Sequence, residues 1–487
     1  MTKKQRREAG AMRRRDRHHH HRRQPRDERC VSCTTFNILA PIYKRMDNEN
    51  CRESQYRAYW FSRNEKIIDR LLADHSSIIC LQEVWLGNDE LVDMYQKRLG
   101  DANYMLFKLA RTNNRGDVWI MALPNAYGVD ICGDCQLVWD LCSLPECLLT
   151  AVHRNYFNVL NYRELLFNDI GDRVAQLLHV ESAMPFLQNR STSCVHQQSL
   201  IVNTHLLFPH DHSLSIVRLR QVYKILQYIE AYLEEHKLGP LPIILCGSVS
   251  SVHRIGMEVN VAKFTSSFAR KGLFHRMTLL INTVTAKKMH ISHRNHRGNI
   301  CGVDFIWLLN PDKCRKPLKT SWNEAVFGII KYFLQVAFLS EENAFALLKA
   351  DSLYDHITYS SFYQALCQLG MVHPDRLKSE EIEELWSEAD RDGDGVINYK
   401  EFQCIWSPNC CSQEEEDTEI DITDESLDTF EANNEAFGFT VKEAVLFPPE
   451  VEKGMWPENY SLSDHAPLTV VFSPIRMPCS PRNRGEL

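Results

Sequence analysis

The sequence predicts an α/β fold interrupted by an all-α insertion, and three observations predict it. Past residue 30, short β-rich apolar runs alternate with helical patterns. The stretch from Trp322 to Trp406 reads as helical throughout. A further strand, Leu468 to Phe472, follows long after the strands it belongs with.

Each element has its own signal. The runs Cys33 to Leu39, Ile67 to Leu72, Ile78 to Leu81 and Leu91 to Leu99 set the α/β rhythm. The clearest helix follows Asp211 and Ser213, either of which can cap it. Val222, Ile225, Leu226, Ile229 and Leu233 fall on one of its faces, which must pack on a sheet. Strands read at Ser199 to Thr204, Ile243 to Cys246 and Val303 to Leu309. The most apolar window, Val326 to Leu339, is short and carries Lys331, so it reads as a buried or amphipathic helix and not as a bilayer span.

Composition agrees. At 487 residues the chain exceeds one ordinary domain, and 44% apolar with 24% charged residues is the balance of a globular protein. Seventeen cysteines are scattered without a repeated framework and no leader opens the chain. A reducing interior, cytoplasmic or nuclear, is therefore expected, without disulfides. The net charge of -7 divides unevenly: residues 1–29 are crowded with Arg and Lys, and Glu414 to Glu435 with acids. The basic tail, with His18 to His21, and the acidic segment both read as solvated and disordered. Cys30-x-x-Cys33 and Cys132-x-x-Cys135 have zinc spacing, but Cys33 opens a strand and no histidine pattern flanks either pair, so neither is read as a metal site.

Within the helical stretch, Asp390, Asp392, Asp394, Gly395, Ile397, Asn398 and Glu401 fill the positions of an EF-hand loop, with Val396 offering its carbonyl. Short acids at alternate positions converge on one hard cation, Gly395 allows the sharp turn, and Glu401 closes the shell with two oxygens. This predicts Ca²⁺ binding. A second helix-loop-helix around Asp351 to Ile357 is placed as its partner. Leu353, His356 and Phe362 stand where an acid, a glycine and the closing Glu belong, so it is read as supporting its neighbour without calcium.

Oxygen and imidazole ligands mark the ends of the other strands. Asn37 closes Phe36-Asn37-Ile38-Leu39-Ala40, and Glu83 closes Leu81-Gln82-Glu83. Asn203-Thr204-His205-Leu206, Gly302-Val303-Asp304-Phe305 and Ser463-Asp464-His465-Ala466-Pro467 follow. In this order the motifs resemble the endonuclease/exonuclease/phosphatase superfamily, nearest to its nocturnin-type and other poly(A)-directed deadenylase branch. The resemblance implies a four-layered α/β sandwich, two mixed sheets flanked by helices, with the site at one edge. It also implies that Asn37 and Glu83 hold Mg²⁺ or Mn²⁺, that His205 contacts the scissile phosphate, and that Asp464 orients His465 for proton transfer. Asp304 is implied as a second orienting or proton-handling acid. His296 and Arg297, in the basic run before it, are candidates for substrate phosphates.

One motif departs from that pattern. After Ile243-Ile244-Leu245-Cys246-Gly247 the superfamily carries Asp-x-Asn, whose Asp activates the attacking water; here Ser248 and Ser250 stand in its place. Serine supplies no carboxylate, and a lost base costs roughly 10² to 10⁴ in rate. Codons permitted for Arg254 to Lys263, read one base out from Ile255, give Asp-Trp-Asn-Gly-Ser-Lys-Arg-Gly-Gln and restore the motif. Residues 248–288 are accordingly read as frame-shifted, and residues 118–147 as an anomalous insert.

The expected layout is a disordered tail over 1–29, a discontinuous hydrolase domain over 30–312 and 436–475, and an EF-hand pair over 320–408. An acidic linker spans 411–435 and a second tail 476–487. The expected function is an Mg²⁺-dependent phosphodiesterase acting on RNA as a poly(A)-type 3′ exonuclease. A calcium-binding protein on an inactive hydrolase scaffold, or a hydrolase of lipid or small phosphoesters, is the alternative.

Overall fold

The computed structural model describes residues 30–46, 51–111, 146–168, 172–184, 186, 197–207, 214–248, 278–279, 291–295, 297–311, 317–337, 339–349, 355–374, 376–406 and 435–478. The basic tail, Cys132 and Cys135, Ser250, His296, the acidic linker and most of the two anomalous segments lie outside them.

The first part of the chain runs β1 (Val31–Asn37), α1 (Arg57–Asp74), β2 (Ile78–Trp85), α2 (Asp89–Asp101), β3 (Tyr104–Ala110), β4 (Glu146–His153), β5 (Phe157–Leu166), β6 (Val174–Ser182) and β7 (Gln198–His205). Then come α3 (Ser215–Glu235), β8 (Ile243–Ser248), β9 (Thr278–Leu279), β10 (His293–Arg294), β11 (Ile300–Cys301) and β12 (Asp304–Leu309). The helical part holds α4 (Leu318–Val336), α5 (Glu341–Lys349), β13 (Ile357–Thr358), α6 (Tyr359–Gln368), α7 (Ser379–Ala389), β14 (Val396–Ile397) and α8 (Tyr399–Trp406). β15 (Glu435–Leu446), α9 (Pro449–Glu452) and β16 (Leu468–Pro478) close the chain.

Two six-stranded sheets result, ordered β15-β16-β1-β2-β4-β3 and β5-β6-β7-β8-β12-β9. Each is mixed: β1 with β2 and β7 with β8 are parallel, and their other pairings are antiparallel. Alternation along β1 explains the layers. Cys33 joins Ile78, Cys80, Ile201 and Cys246 in the core between the sheets, whereas Phe36 and Ile38 join Ile67, Ile68 and Leu71 of α1 on the outer face. α3 covers the second sheet with Val222, Ile225, Leu226, Ile229 and Leu233 all buried, the face expected from sequence. Its capping candidates Asp211 and Ser213 lie outside the described residues. The architecture is thus helices, sheet, sheet, helices.

A polar belt crosses the two sheets just behind the ends of their central strands. Gln82 donates to Asn203 Oδ1 at 2.8 Å, Asn203 donates to Thr150 Oγ1 at 3.1 Å, and Thr150 donates to Gln176 Oε1 at 2.7 Å. Buried polar groups must be satisfied, so this chain fixes the register of one sheet on the other.

In the helical part, α5 with α6 and α7 with α8 form two helix-loop-helix units joined by β13 and β14, where Ile357 pairs with Ile397. α4 precedes both units and belongs to neither. Among the described residues no helix is long and apolar enough to cross a membrane. Contrary to the expectation of no disulfides, Cys404 is disulfide-bonded, and its partner lies outside the described residues. A scattered cysteine pattern carries no signal for such a bridge.

Candidate functional site

The strand ends bring the sequence motifs together at one edge of the paired sheets. Asn37 ends β1: its Oδ1 accepts the Leu39 N–H at 3.0 Å, and its Nδ2 donates to Glu83 Oε1 at 2.7 Å. Glu83 projects from a bulge in the β2–β4 pairing with φ of 56°, a left-handed conformation costly for a non-glycine residue. Burial and then the neighbouring Asp464 charge raise its carboxyl above the usual range, while His465, Asn37 and Arg111 pull the other way.

His205 ends β7, with Nε2 3.8 Å from Glu83 Oε1. Arg173 donates to its Nδ1 at 3.4 Å, which leaves the proton on Nε2, facing Glu83. Burial, joined by the charges of Arg111, His465 and Arg218, holds His205 well below the ordinary histidine value, so it is neutral near pH 7.

His465 behaves oppositely. Burial alone would lower it, but Asp304 outweighs that by charge and hydrogen bond, and Asp464 and Glu83 add to it, raising His465 to about 9. Its Nδ1 donates to Asp304 Oδ2 at 2.8 Å, and Asp304 is fully buried. Asp464 Oδ1 is 3.9 Å from Nε2. The resemblance assigns the orientation of His465 to Asp464. In this structure Asp304 does that, because β12 delivers its carboxylate directly to Nδ1.

Ser463 and Arg63 hold these loops in place. Ser463 Oγ donates to the Asn37 carbonyl at 2.8 Å and accepts the His465 N–H at 3.1 Å. Arg63 of α1 donates to the carbonyls of Ile38, Leu39 and Leu462, and pairs with buried Glu53 at 2.6 Å. The segments bearing Asn37 and Asp464 are thereby clamped to one helix.

The register also locates Ser248. β8 lies between β7 and β12, with Ser248 opposite His205 on one side and Asp304 on the other. Gly247 before it has φ of 138°, and a Cβ there would fall 1.8 Å from the Thr204 carbonyl oxygen, so only glycine fits. Arg297 stands exposed on a turn whose Asn295 side chain accepts the N–H groups of Arg297 and Asn299.

Sequence reading passed over four groups. His293 comes from the same basic run as His296 and Arg297, and its Nε2 is 3.7 Å from Asp464 Oδ2. Only the tertiary bridge from His293 to His465 singles it out within that run. Arg111, Arg173 and Arg218 follow β3, precede β6 and sit on the first turn of α3, where no local motif marks them.

The donor chemistry suits a hard divalent ion. Glu83 is part-buried, its carboxyl is raised, and its close neighbours are an amide and a neutral imidazole, so a cation there would stabilise the carboxylate. The second constellation is as complete. Asp390 caps α7 and accepts the N–H groups of Gly393 and Gly395 at 2.9 and 3.0 Å. Glu401 accepts from Arg391 and Asn398 at 2.8 and 3.0 Å, and Gly395 has φ of 86°. One carboxylate oxygen from each of Asp390, Asp392 and Asp394 lies within 4.8 Å of the others, which fits a calcium-sized cation.

Comparison with known proteins follows the same division. The EF hand domain family matches residues 381–408. The chain is 50% identical over 458 residues to "Uncharacterized calcium-binding protein At1g02270" of Arabidopsis thaliana, covering 93% of this chain and 86% of that one. Among solved structures, the human Nocturnin catalytic domain with bound sulfate is similar at TM-score 0.37 and 18% identity, over 57% of this chain and 83% of that one. ANGEL2, a 2′,3′-cyclic phosphatase, in complex with adenosine-2′,3′-vanadate is similar at TM-score 0.38 and 16% identity, over 57% and 84%. D. rerio TDP2 complexed with single strand DNA product is similar at TM-score 0.35 and 14% identity, over 59% and 86%. Two mixed sheets flanked by helices carry an EF-hand module between β12 and β15, and by its 50% identity the chain belongs to the family of the Arabidopsis calcium-binding protein.

Proposed function

We propose that this chain is a calcium-binding phosphodiesterase whose hydrolytic site lies among Asn37, Glu83, His205, Asp304, Asp464 and His465. The observation that carries this is the pairing of opposite histidines at one site: His205, kept neutral, lies 3.8 Å from the part-buried Glu83 carboxyl, and His465, kept protonated, acts on the same carboxyl by its charge. Two imidazoles held in different states can divide hydrogen bonding to a phosphoryl oxygen from proton donation to a leaving group. Asn37 and Glu83 are the proposed holders of Mg²⁺ or Mn²⁺, which when bound supplies charge neutralisation at the phosphate.

Around that centre the chain's own residues have distinct roles. His205 Nε2–H is poised to donate to a phosphate oxygen. His465, held by Asp304, is charged and able to release a proton from Nε2. Asp464 sits between His293 and His465, and although burial would raise it, the two histidines keep it ionised. Arg111, Arg173 and Arg218 add positive charge beside His205, which suits an anionic substrate.

The proposed substrate is RNA, cleaved from its 3′ end in the manner of poly(A) deadenylases, in the cytoplasm or nucleus. The EF-hand loop is the proposed Ca²⁺ site, with ligands from Asp390, Asp392, Asp394, Val396, Asn398 and Glu401. A second reading, a calcium-binding protein on an inactive scaffold, is favoured by Ser248 at the position between His205 and Asp304. Assaying the purified chain with Mg²⁺ on oligo(A), mixed-sequence RNA and lipid phosphodiesters separates the readings. Hydrolysis of oligo(A) that a Glu83→Ala variant abolishes is the expected result, and no hydrolysis of any substrate supports the second reading.

A further inference from the structure

The helix α4 does more than connect two domains. Its residues Trp322, Val326, Phe327, Ile330 and Leu334 are all buried, so it is apolar on more than one face and needs a partner on each. On one side Trp322 lies against Tyr223 of α3, with ring centroids 4.8 Å apart. On the other, Phe327, Ile330 and Leu334 face Leu348 of α5, Phe362 of α6 and Phe402 of α8, leaving a residual cavity of only about 20 Å³. That volume is about one water, so the apolar cleft of the EF-hand pair is filled. Spacing at i, i+3 and i+7 is how an amphipathic helix anchors in a groove.

The helix that leads into the calcium loop grips the same region. α7 presents Glu381, Glu384 and Glu388 along one face. Glu381 pairs with Arg220 of α3, Glu384 pairs with Lys319 of α4, and Glu388 accepts from Asn323 of α4 at 2.6 Å. The next residues of the same helix end at Asp390, the first calcium ligand. Any change in the angle of α7 is therefore felt by α4 and by α3, whose first turn carries Arg218 beside His205.

We infer that α4 is the intramolecular target helix of the EF-hand pair, seated in its apolar cleft through Phe327, Ile330 and Leu334, and that calcium at the Asp390 to Glu401 loop tightens this seat. The inference rests on calcium binding at that loop. Calcium favours the open arrangement of the helix pairs in sensor EF-hands, the one that offers an apolar groove; here α4 already fills that groove, so calcium stabilises the arrangement that holds it. By linkage, whatever calcium does for the seat, the seat does for calcium.

The test is a calcium titration of the full chain by calorimetry, comparing it with Ile330→Ala and Leu334→Ala, and with Glu401→Gln as the loop control. The unaltered chain is expected to bind calcium, and the α4 variants to bind it about tenfold more weakly, a typical coupling. Absence of binding in the unaltered chain overturns the calcium reading and this inference with it. Unchanged affinity in folded α4 variants overturns the inference alone. Hydrogen exchange on the unaltered chain serves where the variants do not fold. Amides of residues 326–334 should exchange about tenfold more slowly with calcium than with chelator, a factor of the same size as that coupling, and equal exchange contradicts the inference.

Discussion

His465 Nδ1 donates to Asp304 Oδ2 at 2.8 Å across 161 residues of sequence that include the whole EF-hand module. The two parts of the two-sheet domain are thus joined by a buried ion pair, and the helical insertion leaves after Leu309 and returns at Glu435, at the ends of β12 and β15 away from that pair.

This pair gives the stability a pH signature. The folded His465 value of about 9 lies above its ordinary 6.5, since the Asp304 charge and hydrogen bond outweigh the lowering by burial. Its contribution is present in full below pH 6.5 and is lost as pH rises through about 9. Melting of the metal-free chain is expected at progressively lower temperature across that interval, and Asp304→Asn should flatten the trend. A melting temperature independent of pH there contradicts the assignment.

Breaking the loop clamp should cost far more than a surface ion pair. Arg63 is 5% exposed and Glu53 2%, and Arg63 also holds three carbonyls. Removing one partner leaves a buried charge, so Glu53→Ala is expected to destabilise by about 3–5 kcal/mol. Denaturant unfolding reads this directly, and a loss below about 1 kcal/mol, the range of exposed pairs, counts against the clamp.

Calcium should be lost without loss of the fold. Glu401→Gln removes the carboxylate that closes the shell and also receives the Arg391 and Asn398 N–H groups. We expect calcium affinity to fall by roughly a hundredfold on losing the closing carboxylate, while far-ultraviolet dichroism stays within a few percent of the unaltered chain. Undiminished affinity would move the site elsewhere.

Much of this was legible because it is local. The calcium loop is written as consecutive residues, and strands ending in Asn37, Glu83 and His205 carry short motifs whose apolar runs fix their face. β5, β6 and β15 escaped notice because their sequences are mixed: β5 is only half-buried, and Leu160 and Leu166 stand at exposed positions, so its apolar residues do not mark one face. α4 announced itself as an apolar window, but its two-sided burial depends on partners distant in sequence. The Asp304 contact to His465 belongs to the same class, since only the meeting of β12 with the turn before β16 decides which acid reaches Nδ1. Arg173 and Arg218 had no pattern at all; they matter through proximity to His205 alone.

The central claim is that the edge site is a hydrolytic site lacking one acid at Ser248. The most direct measurement is the Mg²⁺-dependent hydrolysis rate of oligo(A) by the chain, by Ser248→Asp and by Ser248→Asp combined with Glu83→Ala. A carboxylate placed between His205 and Asp304 should raise the rate by about 10²-fold or more, the contribution of a positioned base, and the added Glu83→Ala change should remove it. A Ser248→Asp variant that is folded and no faster than the chain itself would contradict the account.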